Sequence, residues 1–361
     1  MSVDDLPLSE RLARQIEAGG PISVAHFMGE ANQHYYATRD PLGMEGDFTT
    51  APEISQMFGE LIGLCLADIW MRSGRRPGAL YAELGPGRGT LAADALRAME
   101  RAAFAPRLHF VETSPVLRER QRALLPHVVH HDRIEELPET GPLMVVANEF
   151  FDALPVRQCI RVHDEWRERV VLARRGEDGI RFVPAVGYRR IESGLPAIAA
   201  TADDGHIIET PLAGAEAAYA LAHRIAKQGG AAIIVDYGYE GPAIGDTLQA
   251  VRDHQFANPF TDPGEVDLTT HVDFTLIGHM ARQAGLRVLG PVGQGAFLTE
   301  LGIDARAAAL AQASPERAEE VEAARLRLTS PDAMGTLFKA MAWVHPDWAD
   351  PAGFGPAGFG A

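Results

Sequence analysis

Cysteine is scarce in this sequence of 361 residues, which contains only Cys65 and Cys159. The two lie far apart, each within an apolar stretch, so they cannot build a disulfide framework or a zinc site based on cysteine. We therefore predict two buried core thiols. So little cysteine is typical of a protein kept in a reducing compartment.

The sequence also lacks any uninterrupted apolar run near the roughly 20 residues that a transmembrane helix needs. Its first residues, Met1–Glu10, are acidic, with neither the apolar segment of a signal peptide nor the arginines of a transit peptide. We therefore expect no membrane span and a cytoplasmic location.

Positive charge is in deficit, with 33 lysines and arginines against 49 aspartates and glutamates, a formal net charge of −16. The basic residues are scattered along the chain and form no run. This balance argues against a nucleic-acid partner, because an acidic surface repels a phosphate backbone. It suits a cationic partner, although solubility alone explains much of an acidic surface.

Short strand-like runs alternate with helical patterns over most of the chain. This rhythm predicts right-handed crossovers and an α/β fold with an open, doubly wound, mostly parallel sheet. We expect the first part of this core at 75–155, a β-rich insertion at 156–208 and the second part of the core at 209–348. A helical N-terminal extension, 1–74, precedes them, and a flexible tail, 349–361, follows.

One long helix is predicted at the end of the N-terminal extension. From Pro52 to Arg72 apolar residues recur at helical spacing, and Gly74 follows as a stop signal. The loop before it, Tyr35 to Thr50, is rich in aromatic, glycine and acidic residues and has the pattern of neither a helix nor a strand.

A glycine-rich loop follows the first strand-like run and leads into a helix. Its glycines, Gly85, Gly87 and Gly89, are spaced Gly-x-Gly-x-Gly, whereas dinucleotide-binding loops have Gly-x-Gly-x-x-Gly. Glu83 stands two positions before the first glycine. A carboxylate there does not help to bind a pyrophosphate, which is itself negatively charged, whereas it favours a ligand with an ammonium and a sulfonium. The loop therefore predicts binding of S-adenosylmethionine, the alternative being an ordinary strand-to-helix turn.

Acidic residues also stand at the ends of the next two predicted strands. Glu112 ends the second strand, where a carboxylate can accept hydrogen bonds from both ribose hydroxyls. Asp132 follows the third strand, where it can meet the adenine edge. A helix cap explains Glu112 equally well. Three acids at three successive strand ends nevertheless favour a nucleoside-binding edge.

The fourth predicted strand ends in Asn148, next to the glycine loop, which makes this residue a candidate for cofactor binding. Two carboxylates, Glu149 and Asp152, follow with two phenylalanines between them. Carboxylates and rings together can orient a guanidinium by bidentate hydrogen bonds and stacking. The alternative is a helix cap with core aromatics, and the sequence does not decide which acid faces a substrate.

His271 lies in a loop that leads into a helix and is a candidate base for proton removal, together with Asp273. Helix capping explains the same residues equally well. His127, His130 and His131 suggest a metal cluster, but His130 and His131 occupy consecutive strand positions, which point to opposite faces. We therefore predict no metal site.

Several segments together resemble a known family, the MidA-like proteins, which are methyltransferases related to the mitochondrial complex I assembly factor that methylates an arginine. The glycine loop alone is shared by many methyltransferases, whereas the combination is highly specific. The matching segments run through nearly the whole chain: Tyr35-Tyr36, Gly46 to Ser55, Glu83 to Leu91, Val111 to Pro115, Asn148 to Pro155, Asp236 to Tyr239, Gly245 to Gln249 and Asp267 to Phe274.

The resemblance implies a class I methyltransferase fold with S-adenosylmethionine as cofactor. It further implies a protein substrate that bears an arginine, such as a respiratory-chain subunit. Asp47 and Thr49, in the segment before the long helix, are implied to close over the cofactor. Tyr35 and Tyr36 are candidates for the same lid, and buried packing explains them equally well.

Two other functions remain open on the sequence. A non-catalytic assembly chaperone would keep the fold and bind the cofactor without turnover, or not bind it. A nicotinamide-dependent oxidoreductase would use the same kind of sheet, but the glycine spacing disfavours it. The break in rhythm at 156–208 suggests a partner interface, and the charged C-terminal helices leave open a homodimer.

Overall fold

A computed structural model describes residues 6–38, 50–177, 179–252 and 255–355 of the chain. Its helices are α1 (Leu8–Gly19), α2 (Val24–Thr38), α3 (Ala51–Ile54), α4 (Gln56–Arg72), α5 (Thr90–Arg101), α6 (Pro115–Leu124), α7 (Leu212–Gln228), α8 (Phe274–Gln283), α9 (Gln294–Glu300), α10 (Ile303–Ala313), α11 (Ala318–Thr329) and α12 (Met334–Leu337). Its strands are β1 (Ile22–Ser23), β2 (Leu80–Leu84), β3 (Arg107–Val111), β4 (Val129–His131), β5 (Leu143–Asn148), β6 (Arg157–Val162), β7 (Glu165–Gly176), β8 (Gly179–Arg190), β9 (Ile207–Thr210), β10 (Gly230–Tyr239), β11 (Gln249–Arg252), β12 (Gln255–Ala257), β13 (Asp267–Thr269), β14 (Val272–Asp273), β15 (Arg287–Gly293) and β16 (Phe338–Val344).

The chain forms two units, each discontinuous in sequence. The parallel-sheet unit contains Thr49–Phe151, Ala217–Tyr239 and Phe274–Ala361. The antiparallel unit contains Met1–Phe48, Asp152–Glu216 and Glu240–Asp273. The five segments expected from the sequence describe the order of elements along the chain and stay a prediction.

In the parallel-sheet unit, the strands lie in the order β15, β16, β10, β5, β2, β3, β4. The five from β10 to β4 are parallel, and β16 runs antiparallel to both β10 and β15. Along the chain, β2 is the first strand of this sheet, β3 and β4 are added on one side of it, and β5 is then added on its other side. This confirms the predicted α/β class with a doubly wound, mostly parallel sheet.

The central strands are apolar on both faces, because helices cover both sides of such a sheet. All residues of β5 are buried, and so are all of β10 except Tyr239. The change of direction between β2 and β5 is a topological switch point, where folds of this kind bind ligands at the carboxyl ends of the strands. The buried residues of one cluster include Phe58, Leu66, Tyr81, Ala95, Met99, Val146 and Ile233.

In the antiparallel unit, one sheet has the order β1, β7, β6, β9, with β8 paired to β7. A second sheet has the order β12, β11, β13. The strands β6 to β8 and the start of β9 account for much of the segment 156–208. Helices α1 and α2 pack on these strands, with a buried cluster that includes Leu12, Phe27, Met28, Val171, Phe182 and Leu268.

The long helix expected from Pro52 to Arg72 is interrupted at Ser55. This residue is extended, with φ −162° and ψ 140°, and its hydroxyl accepts a hydrogen bond from Met57 N at 3.2 Å. Ser55 is therefore the N-cap of α4, and α3 is a separate short helix. The apolar periodicity continues across the break, which is why periodicity alone does not reveal it.

The end of the chain also differs from expectation. In the segment predicted as a flexible tail, Phe354 is 9% exposed and its ring centroid lies 5.1 Å from that of Phe297. Residues 356–361 lie outside the described part of the chain. None of the helices in the described ranges has both the length and the apolar content that a bilayer crossing requires.

Candidate cofactor and substrate residues

The glycine loop joins β2 to α5 in the parallel-sheet unit. Gly85, Gly87 and Gly89 have φ values of 61°, 54° and 85°, in the left-handed region that glycine adopts without strain. A Cβ on Gly85 would lie 3.1 Å from ring atom Cδ2 of Phe150. The loop therefore depends on glycine both for its backbone angles and for its close packing.

Glu83, the fourth residue of β2, is 2% exposed, and its Oε2 accepts a hydrogen bond from the Tyr81 hydroxyl at 2.7 Å. Burial raises the pKa of the carboxyl to about 8, opposed by the bond from Tyr81. Within the described ranges no lysine or arginine forms an ion pair with it. A buried carboxyl without a cation fits a ligand that brings its own ammonium group.

Glu112 follows β3, directly beside the glycine loop, because Gly85 N donates to Val111 O at 3.0 Å. The Glu112 carboxylate is buried, accepting from Ser114 N at 2.7 Å and from Gln121 Nε2 at 3.3 Å. Burial raises its pKa, and these donors oppose the rise. The predicted ribose acid thus lies at the expected strand end.

Asp132 follows β4 and lies nearer to solvent. Its side chain is 67% exposed and pairs with Arg118 Nη2 at 2.6 Å. Arg118 also donates to Glu112 O at 2.7 Å and to His131 O at 3.0 Å. The arginine thus ties the ends of β3 and β4 together, and Asp132 contributes to that tie. Contact of Asp132 with an adenine edge stays a prediction.

Asn148 ends β5 and is 9% exposed. Its Nδ2 donates to Glu149 Oε1 at 3.3 Å, whereas its buried Oδ1 has no hydrogen-bond partner among the residues that the structure describes. An unsatisfied buried acceptor costs free energy, so it marks a place where a ligand can supply a donor. The predicted cofactor role of Asn148 fits this observation.

Glu149 has a φ of 48°, which is uncommon for a residue other than glycine. The buried Asp236 holds the turn that follows, because its Oδ2 accepts from Phe150 N at 3.2 Å and from Phe151 N at 3.0 Å. Glu149 N donates to Val235 O at 2.9 Å. The Glu149 backbone is thus fixed at the end of the central strand.

The antiparallel unit contains the other two predicted catalytic residues. Asp152 is 4% exposed, and its backbone oxygen accepts from Thr270 N at 3.0 Å. The next residue, His271, donates from its backbone N to Thr247 Oγ1 at 3.0 Å, and burial lowers the pKa of its ring. The structure therefore brings the backbone segments of Asp152 and His271 together in this unit.

Tyr36 also lies in the antiparallel unit, with its hydroxyl donating to Asp267 Oδ1 at 2.9 Å. Burial raises its pKa well above the ordinary value, and the nearby carboxylates of Asp267 and Asp152 raise it further. The predicted site residues Asp47 and Thr49 lie outside the described residues.

Three further residues hold the segments around the predicted ones. Gln121 Nε2 contacts both the glycine loop and Glu112, and Asp236 holds the turn after Glu149. Glu53 accepts from Thr90 Oγ1 at 2.6 Å, at the first residue of α5. Glu53 and Asp236 lie in the segments that resemble the MidA-like family, whereas nothing in the sequence distinguishes Gln121 from an ordinary polar helix residue.

The histidines near the edge of the sheet interact with each other and with Gln121. His109 Nδ1 lies 3.0 Å from His131 Nε2, and His130 Nε2 lies 2.7 Å from Gln121 Oε1. Burial lowers the pKa of all three. Searched over the described ranges, the structure contains no group of three or more histidine, cysteine, aspartate or glutamate side chains arranged to hold a metal.

Comparisons with known proteins bear on these residues. Residues 61–292 match a family model described as "Putative S-adenosyl-L-methionine-dependent methyltransferase". A Drosophila melanogaster protein, "Protein arginine methyltransferase NDUFAF7 homolog, mitochondrial", is 37% identical, and the match covers 93% of this chain and 84% of the relative. The Homo sapiens protein, "Protein arginine methyltransferase NDUFAF7, mitochondrial", is 34% identical over 93% of this chain and 83% of its own length.

A solved structure from Burkholderia thailandensis, which contains bound S-adenosylhomocysteine, is similar over 97% of this chain and 95% of its own. Its TM-score is 0.84 and its sequence identity is 28%. This similarity covers both units and supports the class I methyltransferase fold.

The comparisons contradict the predicted location. The cytoplasmic location expected from the acidic first residues is contradicted by relatives over most of the chain that are named mitochondrial proteins. The prediction relied on the composition of ten residues, whereas the similarity to the mitochondrial relatives extends over most of the chain.

The remaining comparisons agree on the methyl donor. The matched family is described as S-adenosylmethionine-dependent, and the similar Burkholderia thailandensis structure contains bound S-adenosylhomocysteine. The chain therefore belongs to the family of S-adenosylmethionine-dependent methyltransferases, with S-adenosylmethionine as its cofactor.

Proposed function

We propose that this methyltransferase transfers a methyl group to a guanidinium nitrogen of an arginine in a partner protein, with a respiratory-chain subunit as the candidate acceptor. The fly and human relatives, similar over most of the chain, are named protein arginine methyltransferases. The acids after β5 have the chemistry that a guanidinium requires, because carboxylates accept bidentate hydrogen bonds from it. The resemblance to the MidA-like family supports the respiratory acceptor.

The main support for this proposal is the backbone conformation of Glu149. Its left-handed backbone costs roughly 1–3 kcal/mol for a residue with a side chain, and such strain clusters at functional sites. The two hydrogen bonds to Asp236 hold the turn that keeps this conformation. We infer that the strained backbone directs the Glu149 carboxylate toward the methyl acceptor.

On the cofactor side, Glu83 binds the ammonium group and the glycine loop allows the backbone to approach closely. Glu112 accepts from the ribose hydroxyls. Asn148 Oδ1, the buried acceptor, binds a donor of the same ligand. Asp132 remains the candidate for the adenine edge. A closing role for Asp47 and Thr49 rests on the resemblance.

The chain has two tasks in the transfer. S-adenosylmethionine, when bound, supplies an electrophilic methyl group on a sulfonium, which is already a good leaving group. The chain must hold the acceptor nitrogen in position and remove its proton. Glu149 orients the guanidinium. Asp152 and His271 are the other candidates, and the lowered pKa keeps the His271 ring neutral and able to accept a proton at pH 7.

We expect the affinity for S-adenosylhomocysteine, which keeps the ammonium group, to rise with pH up to about 8. Below that pH the free protein holds a proton on Glu83, because burial raises the pKa of this carboxyl to about 8. Binding an ammonium requires the carboxylate, so the proton must leave on binding and affinity rises by up to about tenfold per pH unit. Calorimetric titrations between pH 6 and 9 measure the slope.

The Glu83→Gln variant is the matched control for this slope, since glutamine has the same size and does not titrate. It should bind weakly at every pH without the rise toward pH 8. Affinity of the wild-type protein that is constant or falls between pH 6 and 8 would contradict the assignment of Glu83 to the ammonium.

Amino-acid analysis of the methylated product tests the proposed reaction. The purified protein is incubated with methyl-labelled donor and a candidate acceptor protein, which is then hydrolysed to amino acids. We expect the label in methylarginine. Label in another amino acid would contradict the arginine assignment. Binding of S-adenosylhomocysteine without transfer to any acceptor would favour the assembly-chaperone alternative.

We propose that the β-rich segment 156–208 contacts the acceptor protein. On β8, the Tyr188 side chain is 92% exposed and that of Val186 is 44% exposed. Exposed tyrosines are enriched in protein interfaces. Tyr188→Ser should slow transfer to the intact acceptor about tenfold and leave S-adenosylhomocysteine affinity unchanged. Unchanged transfer would exclude this residue from the interface.

A further inference from the structure

The side chain of Gln121 contacts three segments near the carboxyl ends of the parallel strands. It lies on α6, is 0% exposed, and donates from Nε2 to Gly87 O at 2.6 Å and to Glu112 Oε2 at 3.3 Å. Its Oε1 lies 2.7 Å from His130 Nε2. One buried amide therefore contacts the glycine loop, the acid after β3 and a histidine of β4.

The orientation of this amide is fixed by its neighbours. A carbonyl oxygen and a carboxylate oxygen both need a donor, so the NH2 group must face Gly87 and Glu112. Oε1 then needs a donor, which makes His130 Nε2 the protonated ring nitrogen. Burial lowers the pKa of His130 to about 4, so the neutral ring donates this hydrogen at pH 7. Every polar atom of the Gln121 side chain is thereby used.

Within the described ranges, the hydrogen bonds of the Gln121 amide link the Glu112 carboxylate to the glycine loop. Its second oxygen, Oε1, accepts from Ser114 N, only two residues further along the same segment. Gln121 also packs on the loop, because a Cβ on Gly89 would lie 3.6 Å from Gln121 Cγ. Backbone pairing, including the bond from Gly85 N to Val111 O, joins the two strand ends, and the Gln121 amide then ties the Glu112 carboxylate itself to Gly87.

We propose that Gln121 is a positioning residue that fixes the Glu112 carboxylate relative to the glycine loop, and so determines the selection of a ribose-bearing cofactor. This inference rests on the role proposed for Glu112 above. Gly87 belongs to the loop that approaches the cofactor, whereas Glu112 binds the ribose of the cofactor. Without the amide bridge, the carboxylate loses its fixed position and the hydroxyl groups lose a preorganised acceptor.

The test compares two ligands and two variants. Gln121→Met removes the amide and keeps the length of the side chain. Each protein is titrated calorimetrically with S-adenosylhomocysteine and with its 2′-deoxy analogue, and the ratio of the two Kd values measures selection of the ribose. A variant that is merely less stable loses affinity for both ligands by the same factor.

Gln228→Met is the matched control. Gln228 lies on α7, and its Nε2 donates to Pro138 O at 3.0 Å and to Gly141 O at 2.9 Å. Its Oε1 accepts from Arg224 Nε at 2.8 Å. Like Gln121, this glutamine donates two hydrogen bonds from Nε2 and uses its Oε1, but both acceptors are carbonyls of the loop that enters β5, at the opposite end of the strands from the glycine loop.

We expect Gln121→Met to weaken S-adenosylhomocysteine binding roughly tenfold and to bring the two Kd values to within about threefold of each other. Gln228→Met should bind both ligands as the wild-type protein does. Near-wild-type binding by Gln121→Met, or an equal loss for both ligands, would overturn the proposal.

Titration of the wild-type protein distinguishes failure of the Gln121 proposal from failure of the roles proposed for Glu112 and for methyl transfer. If it binds S-adenosylhomocysteine but does not prefer it over the 2′-deoxy analogue, the role of Glu112 fails and the inference about Gln121 falls with it, while the cofactor assignment stands. If it binds neither ligand, the proposed methyl transfer itself is contradicted.

Discussion

Valine in place of Gly85 is expected to weaken S-adenosylhomocysteine binding by more than about 100-fold in a calorimetric titration. Gly85 has a φ of 61°, where a residue with a side chain pays roughly 1–2 kcal/mol. Its Cβ would also lie 3.1 Å from the Phe150 ring, and valine adds two methyl groups beyond it. The loop relieves the backbone strain by changing its own angles, and the contact with Phe150 displaces either the loop or the ring, so the backbone leaves the position that lets it approach the cofactor.

Gly78→Val is the matched control for this substitution. Gly78 precedes the same strand, β2, at its other end, and has a φ of 71° with nothing within 4 Å of the place that a Cβ would occupy. It carries a similar backbone strain far from the glycine loop, so binding should stay within about threefold of the wild-type value. Equal binding by the two variants would show that the glycine loop does not approach the ligand.

Glutamine in place of Glu149 is expected to reduce kcat for methyl transfer by about 100-fold or more, while the Kd for S-adenosylhomocysteine stays within about twofold. The substitution preserves the size of the side chain and the fixed backbone. It removes the charge that strengthens hydrogen bonds to a guanidinium and the ability to take a proton. Single-turnover rates with the protein acceptor and cofactor titrations measure the two effects separately.

Asp152→Asn provides the comparison within the same short segment. Loss of transfer in Glu149→Gln alone would assign the acceptor to Glu149, whereas equal losses would assign both acids. A kcat of Glu149→Gln within about threefold of the wild-type value would contradict the proposal, because the strained carboxylate would then have no part in transfer. A large loss of cofactor affinity would move Glu149 to the cofactor side.

The fold was largely predictable because its signals are local. Continuous apolar runs such as β5 and β10 identify buried parallel strands, and the glycine loop marks the strand-to-helix turn. Glu83, Glu112 and Asn148 could be anticipated for the same reason, since each stands at the end of a recognisable strand. The break at Ser55 could not, because a serine inside an apolar periodicity reads equally well as a polar helix position.

Contacts between distant segments were beyond the sequence. Gln121 sits in an amphipathic helix, and only the packing of α6 beside β3 turns it into a bridge between Gly87 and Glu112. Asp236 follows an apolar run within β10, and its bonds to Phe150 and Phe151 depend on the pairing of β5 with β10. Pairing of this kind follows from topology, which a single sequence does not specify.

Because the carboxyl of Glu83 is buried, binding of the cofactor is also expected to stabilise the folded protein. An unfolded chain releases this proton near pH 4.5, whereas the folded protein holds it up to about pH 8. Between these values the acid therefore favours unfolding increasingly as the pH rises, and the penalty is greatest from pH 8 upward. A bound ammonium removes that penalty. The lifetime of the protein in a cell should consequently follow the supply of its methyl donor, so that molecules without cofactor are the first to unfold and be degraded.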